Sequence, residues 1–277
     1  MQKLTRRQMI LGTGAALAGV TALDAFLIET RRLEVTRHDF PIPGLSPALD
    51  GLVIAHLTDT HFYRGIHAAG RAAIDAVRAE RPDVVVLIGD MCERREALGE
   101  VTEFSQAVRG SLATFATLGN WERAAGIGAR EVDAAYRRAG VEFLLNQTPN
   151  LSLGGATLHV VGLDDPVLGN PILPAALGTP APGNAAIWLV HAPAYVDQIP
   201  PHIAVAPAMI LAGHTHGGQI RIPFVPPLLP SGCGRFLEGW YRDSFAPLYV
   251  SRGVGTADIR ARFRCPPEVA FITLRRG

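Results

Sequence analysis

Short apolar runs, each closed by a polar residue, recur along the chain from Leu52 onward. Residues 52–57 lead straight into Thr58, Asp59, Thr60 and His61. Residues 83–88 run into Gly89 and Asp90, and residues 112–118 into Gly119, Asn120, Trp121 and Glu122. Further runs follow at 156–162, at 186–190 before His191, and at 208–212 before Gly213-His214-Thr215-His216-Gly217-Gly218-Gln219. Runs of this length, bounded by turn residues, predict buried strands. Shorter strands are predicted at 248–251 and 269–274. Between them the periodicity turns helical over 70–80, 98–109 and 129–139. In the first of these, Ala72, Ala73, Ala76, Val77 and Ala79 lie among charges, and Pro82 ends the helix. Strands alternating with helices predict a layered α/β fold with polar residues gathered outside the strand ends.

Composition narrows the partners more than the fold. A length of 277 residues suits one large domain, and 48% hydrophobic residues suffice for a sizeable core. A net charge of +1 gives no electrostatic case for nucleic acid as a partner. Cys92, Cys233 and Cys265 are too few and too scattered for a disulfide framework or a zinc knuckle, so buried free thiols are expected. Pro-rich patches at 41–47, 171–182 and 223–230 read as loops rather than interdomain linkers.

The chain start reads as an address rather than as fold. Paired arginines in Thr5-Arg6-Arg7-Gln8-Met9-Ile10-Leu11 stand ahead of an apolar, Ala- and Gly-rich run over 9–20. This arrangement resembles a twin-arginine export signal. The run is short for a stable span, Asp24 interrupts its far end, and no clean small-x-small cleavage site stands near Ala22 to Phe26. Residues 1–27 are therefore expected to be a signal or a membrane anchor. Residues 28–50 form a connecting strand and loop, and 51–277 a domain working in the periplasm or cell envelope.

Asp and Asn are ordinary turn residues, so any one of them at a strand exit carries little. Asp59, His61, Asp90, Asn120, His191, His214 and His216 all fall at strand exits, and that repetition points to a site. A ligand set of carboxylate, imidazole and amide oxygen exceeds what one cation needs and suits two. Zinc, manganese or iron fit it, and the lack of thiolate argues against a purely structural zinc site. Two such ions about 3.5–4 Å apart clamp the attacking and leaving oxygens of phosphoryl transfer.

Asp59-x-His61, Gly89-Asp90, Gly119-Asn120, His191 and Gly213-His214-Thr215-His216, in this order, resemble the calcineurin-like metallophosphoesterase superfamily. Gly213 to Gln219, followed by Ser251-Arg252-Gly253-Val254-Gly255 and 262–268, is similar to its exported or membrane-attached branch. That branch includes twin-arginine-exported phosphoesterases and UDP-2,3-diacylglucosamine pyrophosphohydrolases. The resemblance implies a four-layer αββα sandwich with a dimetal centre at the strand C-terminal ends. It also implies that Asp59, His61 and His216 hold one metal, that Asn120, His191 and His214 hold the other, and that Asp90 bridges them. Asp90, Asn120 and His214 would serve the chemistry directly.

One position departs from the family. Its third block carries a histidine after Gly-Asn, taken to assist the leaving group, and this chain has Trp121. Indole donates one hydrogen bond but transfers no proton at neutral pH. A missing general acid costs about 10²–10⁴-fold in rate, least for leaving groups that depart unaided. The expected reaction is thus metal-hydroxide hydrolysis of a phosphodiester or pyrophosphate bond in a lipid- or nucleotide-linked envelope substrate. The alternative is a metal-binding pseudoenzyme or envelope binding module. His67 is a candidate substitute acid, Arg64 a candidate phosphate contact, and Glu122 a candidate partner that orients a ligand. Asp164 and Asp165 read as turn residues at the rim. His56 reads as a core histidine, and His38, His159 and His202 are assigned no role. The segment 222–230, directly after the histidine loop, reads as an apolar rim for an acyl chain or a bilayer.

Overall fold

Aliphatic residues fill the predicted runs, and each becomes a strand in a computed structural model that describes residues 5–6, 12–13, 19–173, 180–200 and 206–277. In chain order the strands are β1 (Glu34–Ile42), β2 (Val53–Leu57), β3 (Val84–Ile88), β4 (Ala113–Thr117), β5 (Glu142–Phe143) and β6 (Asn150–Leu153). They continue with β7 (Ala156–Gly162), β8 (Ala185–Leu189), β9 (Met209–Ala212), β10 (Gly239–Tyr241), β11 (Leu248–Val250) and β12 (Glu268–Arg276). Strands β5, β6 and β10 have no counterpart in the apolar pattern, because each is short and only partly buried.

Two six-stranded sheets result, ordered β1-β12-β2-β3-β4-β5 and β10-β11-β9-β8-β7-β6. Strands β2 to β5 run parallel, as do β7, β8, β9 and β11, so their C-terminal ends collect at one edge of each sheet. Among the described residues, the α-helices of the body are α1 (Ala68–Glu80), α2 (Leu98–Ala107), α3 (Asn120–Ala124) and α4 (Ala129–Arg138). His67 caps α1 by accepting from the Gly70 amide, and Arg81, with φ 50°, turns the chain before Pro82.

Three apolar layers hold the sheets in place. Val77 of α1, Phe104 of α2 and Tyr136 of α4 pack on Ala55, Val85 and Leu87 of the first sheet. Ile54, Val86, Ile88 and Phe115 face Leu158, Ile187, Leu189 and Leu211 across the interior. Each such side chain contributes about 1.5–3 kcal/mol of burial. Trp188, Ile210 and Leu248 lie on the outer face of the second sheet, under Val196 of a 3-10 turn (Pro193–Gln198) and Phe236. The layers follow the αββα order, with the last built from turn and loop among the described residues.

Arg7 and most of the apolar run at 9–20 lie outside the described residues, as does His202. No described helix is long and apolar enough to cross a membrane. Just beyond the run, Ala25 is buried and its carbonyl accepts from the Arg262 amide at 2.9 Å. The buried Glu29 carboxylate accepts from the amides of Arg264 (2.8 Å) and Cys265. The boundary drawn at residue 27 therefore runs through a segment docked on the body. All three cysteines are free and buried.

Glu268 ties β12 to the sheet edge. Its buried carboxylate accepts from Thr36 Oγ1 (2.8 Å), the Tyr249 hydroxyl and the Arg252 amide (3.0 Å), with Arg252 Nε at 3.3 Å. Burial alone would raise its pKa, but Arg252 and these donors outweigh burial and hold it below the usual range. A depressed folded pKa gives stability that is present above the unfolded value of about 4.3 and lost as pH falls through the folded one. Glu268→Gln is expected to cost about 3 kcal/mol at pH 7. Thermal melts should show the gap to the parent narrowing below about pH 4. A gap that does not change with pH would mean the carboxylate charge contributes nothing.

Candidate metal centre

The exits of β2, β3, β4, β8 and β9 face one another, and the backbone there is bent to bring side chains inward. Asp59 (φ 53°), His61 (49°), Asp90 (53°), His214 (70°) and His216 (50°) all adopt left-handed conformations. Each costs about 1–3 kcal/mol for a residue with a Cβ, which persists only where the surroundings enforce it. Close approach needs glycine too. A Cβ at Gly89 would sit 2.6 Å from both Gly119 Cα and His191 Nδ1, and one at Gly119 would overlap Asp90 Oδ1 and its amide. Gly119→Ala is therefore expected to lower stability by about 1–3 kcal/mol and to reduce bound metal. Melting and elemental analysis would check this; full metal content with parental stability would contradict the packing described.

Two triads occupy the meeting point: Asp59, His61 and His216, and Asp90, His191 and His214. In the first, His61 Nε2 and His216 Nε2 lie 3.0 Å apart and 3.9 and 3.5 Å from Asp59 Oδ1. In the second, His191 Nε2 lies 3.1 Å from Asp90 Oδ2 and 3.2 Å from Asn120 Oδ1, which brings Asn120 to the same point. Asp90 Oδ2 is also 3.8 Å from His61 Nε2, so this oxygen faces both triads.

The remaining atoms of these side chains are held from behind. His191 Nδ1 donates to the Ile88 carbonyl (2.9 Å), and His214 Nε2 donates to the Ser231 carbonyl (2.8 Å). His61 Nδ1 faces Glu93 Oε1 at 3.2 Å. His191 Nε2, His214 Nδ1 and His61 Nε2 are thereby turned toward the centre, the nitrogens a cation would take in place of a proton. Asp59 Oδ2 accepts from Thr58 Oγ1 (2.6 Å) and the His214 amide (2.9 Å), and Asp90 Oδ1 accepts from the Trp121 amide (2.8 Å). Glu122, as the sequence suggested, works behind the ligands. Its carboxylate takes the amides of Asp90 (3.2 Å), Met91 (2.6 Å), Cys92 (3.3 Å) and Gly119 (3.2 Å), fixing the turns that carry Asp90 and Asn120.

Burial and charge compete at every group. Burial lowers the imidazole pKa of His61 and His191, but the carboxylates of Asp59, Glu93 and Asp90 outweigh it, giving about 9 and about 10. Burial raises the Asp59 and Asp90 carboxyls, and the surrounding imidazoles bring both below the usual range. His214 and His216 are pushed down by burial and by neighbouring His191, His61 and Arg262. Burial and then Asp90 raise Glu122 to about 7. Asp59 Oδ1 is buried with no hydrogen-bond partner. An orphaned carboxylate oxygen facing two imidazole nitrogens fits a divalent cation, and the oxygen-and-nitrogen donor set fits zinc, manganese or iron.

A cavity of about 580 Å³ opens on Asp90, Asn120, His214 and His216. Trp121 walls it, with its ring 5.3 Å from that of His61 and edge-on to it. Ile222, Val225, Leu228 and Pro230 form the opposite wall, so the predicted apolar rim lies directly at the centre, and Phe224 and Leu228 project fully into solvent. Arg64 and His67 line a different cavity, beyond His61. His67 spends both ring nitrogens inside the fold, on Thr60 O (2.8 Å) and the Gly70 amide (3.1 Å), so it is placed as a helix cap rather than as a substitute acid. Asp164 and Asp165 cap the turn at 165–170 through backbone amides, and Asp164 also pairs with Arg123. His56 is a core histidine that burial brings to about 4. His38 meets Tyr249 (3.1 Å) and His159 meets Asn150 (2.7 Å), both away from the centre.

Glu93, Ser231 and Arg262 were not singled out from the pattern. Arg262 is fully buried, donates to the carbonyls of Arg252, Gly253, Gly255 and Cys265, and approaches His216 Nδ1 at 3.4 Å. Arg262 stands between Arg260 and Arg264 in the sequence, so nothing local sets it apart.

The sequence pattern of the family described as calcineurin-like phosphoesterase matches residues 52–218. The metallophosphoesterase YkuE of Bacillus subtilis is 28% identical, over 99% of this chain and 99% of its own length. The phosphodiesterase YaeI of Escherichia coli is 26% identical, over 98% and 99% respectively. The metallophosphoesterase Cj0846 of Campylobacter jejuni is 29% identical over 87% of this chain and 63% of its own length. The match runs from the start of β2 through the histidine loop, across every residue of both triads. The chain belongs to the calcineurin-like phosphoesterase family and is a metallophosphoesterase carrying two candidate metal-binding triads.

Proposed function

We propose that the enzyme hydrolyses a phosphodiester or pyrophosphate bond in a substrate with an apolar, lipid-like portion. We also propose that it does so outside the cytoplasm, at a membrane surface. The apolar cavity carries this reading: it opens on Asp90, Asn120 and His214 and has indole where an acid would stand. Asp59, His61 and His216 would hold one ion, and Asn120, His191 and His214 the other, with Asp90 between them; we take manganese as the resident metal. Two divalent ions supply positive charge for the phosphate oxygens and lower the pKa of water toward neutrality.

The chain's own groups do the rest. Asp90 keeps one oxygen on the Trp121 amide and turns the other to both triads, so its position is fixed whichever triad is filled. Trp121 and the 222–230 wall exclude bulk water from one side, which strengthens charge interactions within. Indole gives no proton, so the leaving group departs as an anion, and phosphoanhydrides and aryl esters tolerate that best. The exposed side chains of Phe224 and Leu228 and the arginine-led chain start support membrane contact.

Full-length protein with manganese should cleave bis(p-nitrophenyl) phosphate and a UDP-linked diacyl sugar faster than simple alkyl monoesters. Alkyl monoesters turned over as fast as the diester would refute this reading of Trp121.

A further inference from the structure

His61 stands between two cavities, and the second carries arginines beside apolar residues such as Phe26 and Val254. The one beyond His61, about 460 Å³, is lined by Arg31, Tyr63, Arg64, His67, Thr256 and Arg260. We infer that this second cavity binds a second phosphate group of the substrate, a site resting on the phosphoesterase reading above and extending it.

The charges facing the cavity are unbalanced. Arg260 pairs with Glu93 (2.9 Å), whose carboxylate also faces His61. Glu100 is taken by the Gly65 amide (2.8 Å), and Arg94 stacks on the Tyr63 ring at 4.2 Å. Arg64 lies over that ring, at 5.6 Å, and neither Arg31 nor Arg64 has a carboxylate partner among the described residues. His67 is kept neutral by burial, with both nitrogens engaged. Two unneutralised guanidiniums thus share a concave site with a third in a chain whose net charge is only +1. A phosphate dianion can accept paired N–H donors from guanidinium groups that line one concave site. Tyr63, 42% exposed and ringed by Arg64, Arg94 and Arg260, is held as a flat wall for whatever joins the two phosphates. The geometry gives the substrate two ends: an apolar one past Trp121 and an anionic one past His61.

Titration calorimetry on full-length, metal-loaded protein tests this by comparing thymidine 5′-phosphate with thymidine 3′,5′-bisphosphate, and fructose 6-phosphate with fructose 1,6-bisphosphate. At least one bisphosphate should bind about tenfold tighter or better than its monophosphate. The advantage should shrink at high salt and vanish in Arg31→Ala/Arg64→Ala, with that variant's metal content and melting temperature measured alongside. No advantage in either pair, or one that survives the double substitution, overturns the inference. A second inorganic phosphate bound per chain without any bisphosphate advantage would overturn it in favour of a free-phosphate site. Binding is read without turnover. A bisphosphate advantage in a protein inactive on bis(p-nitrophenyl) phosphate would therefore uphold the cavity while defeating the proposed activity.

Discussion

Asp90→Asn is expected to lower phosphodiesterase turnover by more than about 100-fold, since even a partner behind a metal ligand is worth 10–100-fold. The substitution is nearly isosteric. The amide oxygen can still accept from the Trp121 main chain, so the turn after β3 should keep its shape. What changes is the oxygen that lies 3.1 Å from His191 Nε2 and 3.8 Å from His61 Nε2, the one atom facing both triads. An amide there carries no charge to screen two cations from each other. Bound metal should drop from two ions to one or fewer per chain, with little loss of fold. In the ion-free protein the change cuts both ways: Glu122, which burial and Asp90 raise to about 7, ionises more readily, while His191 and His61 lose a carboxylate that raises them. Elemental analysis, melting and turnover on one preparation decide it: two ions and near-parental rates in Asp90→Asn would leave Asp90 without a bridging role.

The centre was legible in the sequence because its ligands sit where strands end. A buried parallel strand can place polar atoms only at its exit, so Asp59, Asp90, Asn120, His191 and His214 each announce themselves after an apolar run. The groups behind them were not legible. Glu93 reaches back to His61 and across to Arg260, Ser231 supports His214 from a loop, and Glu29 holds the Arg264 and Cys265 amides. These contacts join residues far apart in the chain, and nothing local about a glutamate in a loop says which amide or imidazole it will meet. The same holds for the fold. Strands β2, β3, β4, β8 and β9 carry their own hydrophobic signal, whereas β5 and β6 exist because a neighbouring strand offers them an edge. Helix α3 begins on Asn120 itself, inside a block read for its chemistry, and is too short for periodicity to show.

Trp121→His is expected to raise hydrolysis of alkyl phosphate esters by about 10²-fold or more, within the 10²–10⁴-fold that a positioned general acid supplies. The main chain at this position is already anchored, with its amide on Asp90 Oδ1, and the side chain already points at the centre, edge-on to His61. An imidazole on the same Cα would therefore reach the space where a leaving oxygen departs. Its ordinary pKa near 6.5 would add a new limb to the pH–rate profile, with activity on alkyl esters falling as pH rises through the pKa of the added acid. Nitrophenyl esters need no such help and should change by less than about tenfold. The apolar cavity loses its largest wall at the same time, so KM for a lipid-like substrate should rise while kcat on small alkyl esters climbs. Equal changes on alkyl and nitrophenyl esters, with no new limb in the profile, would mean that residue 121 shapes the cavity and has no bearing on the proton. The opposite result would mean that a single position decides between leaving groups that need a proton and those that do not.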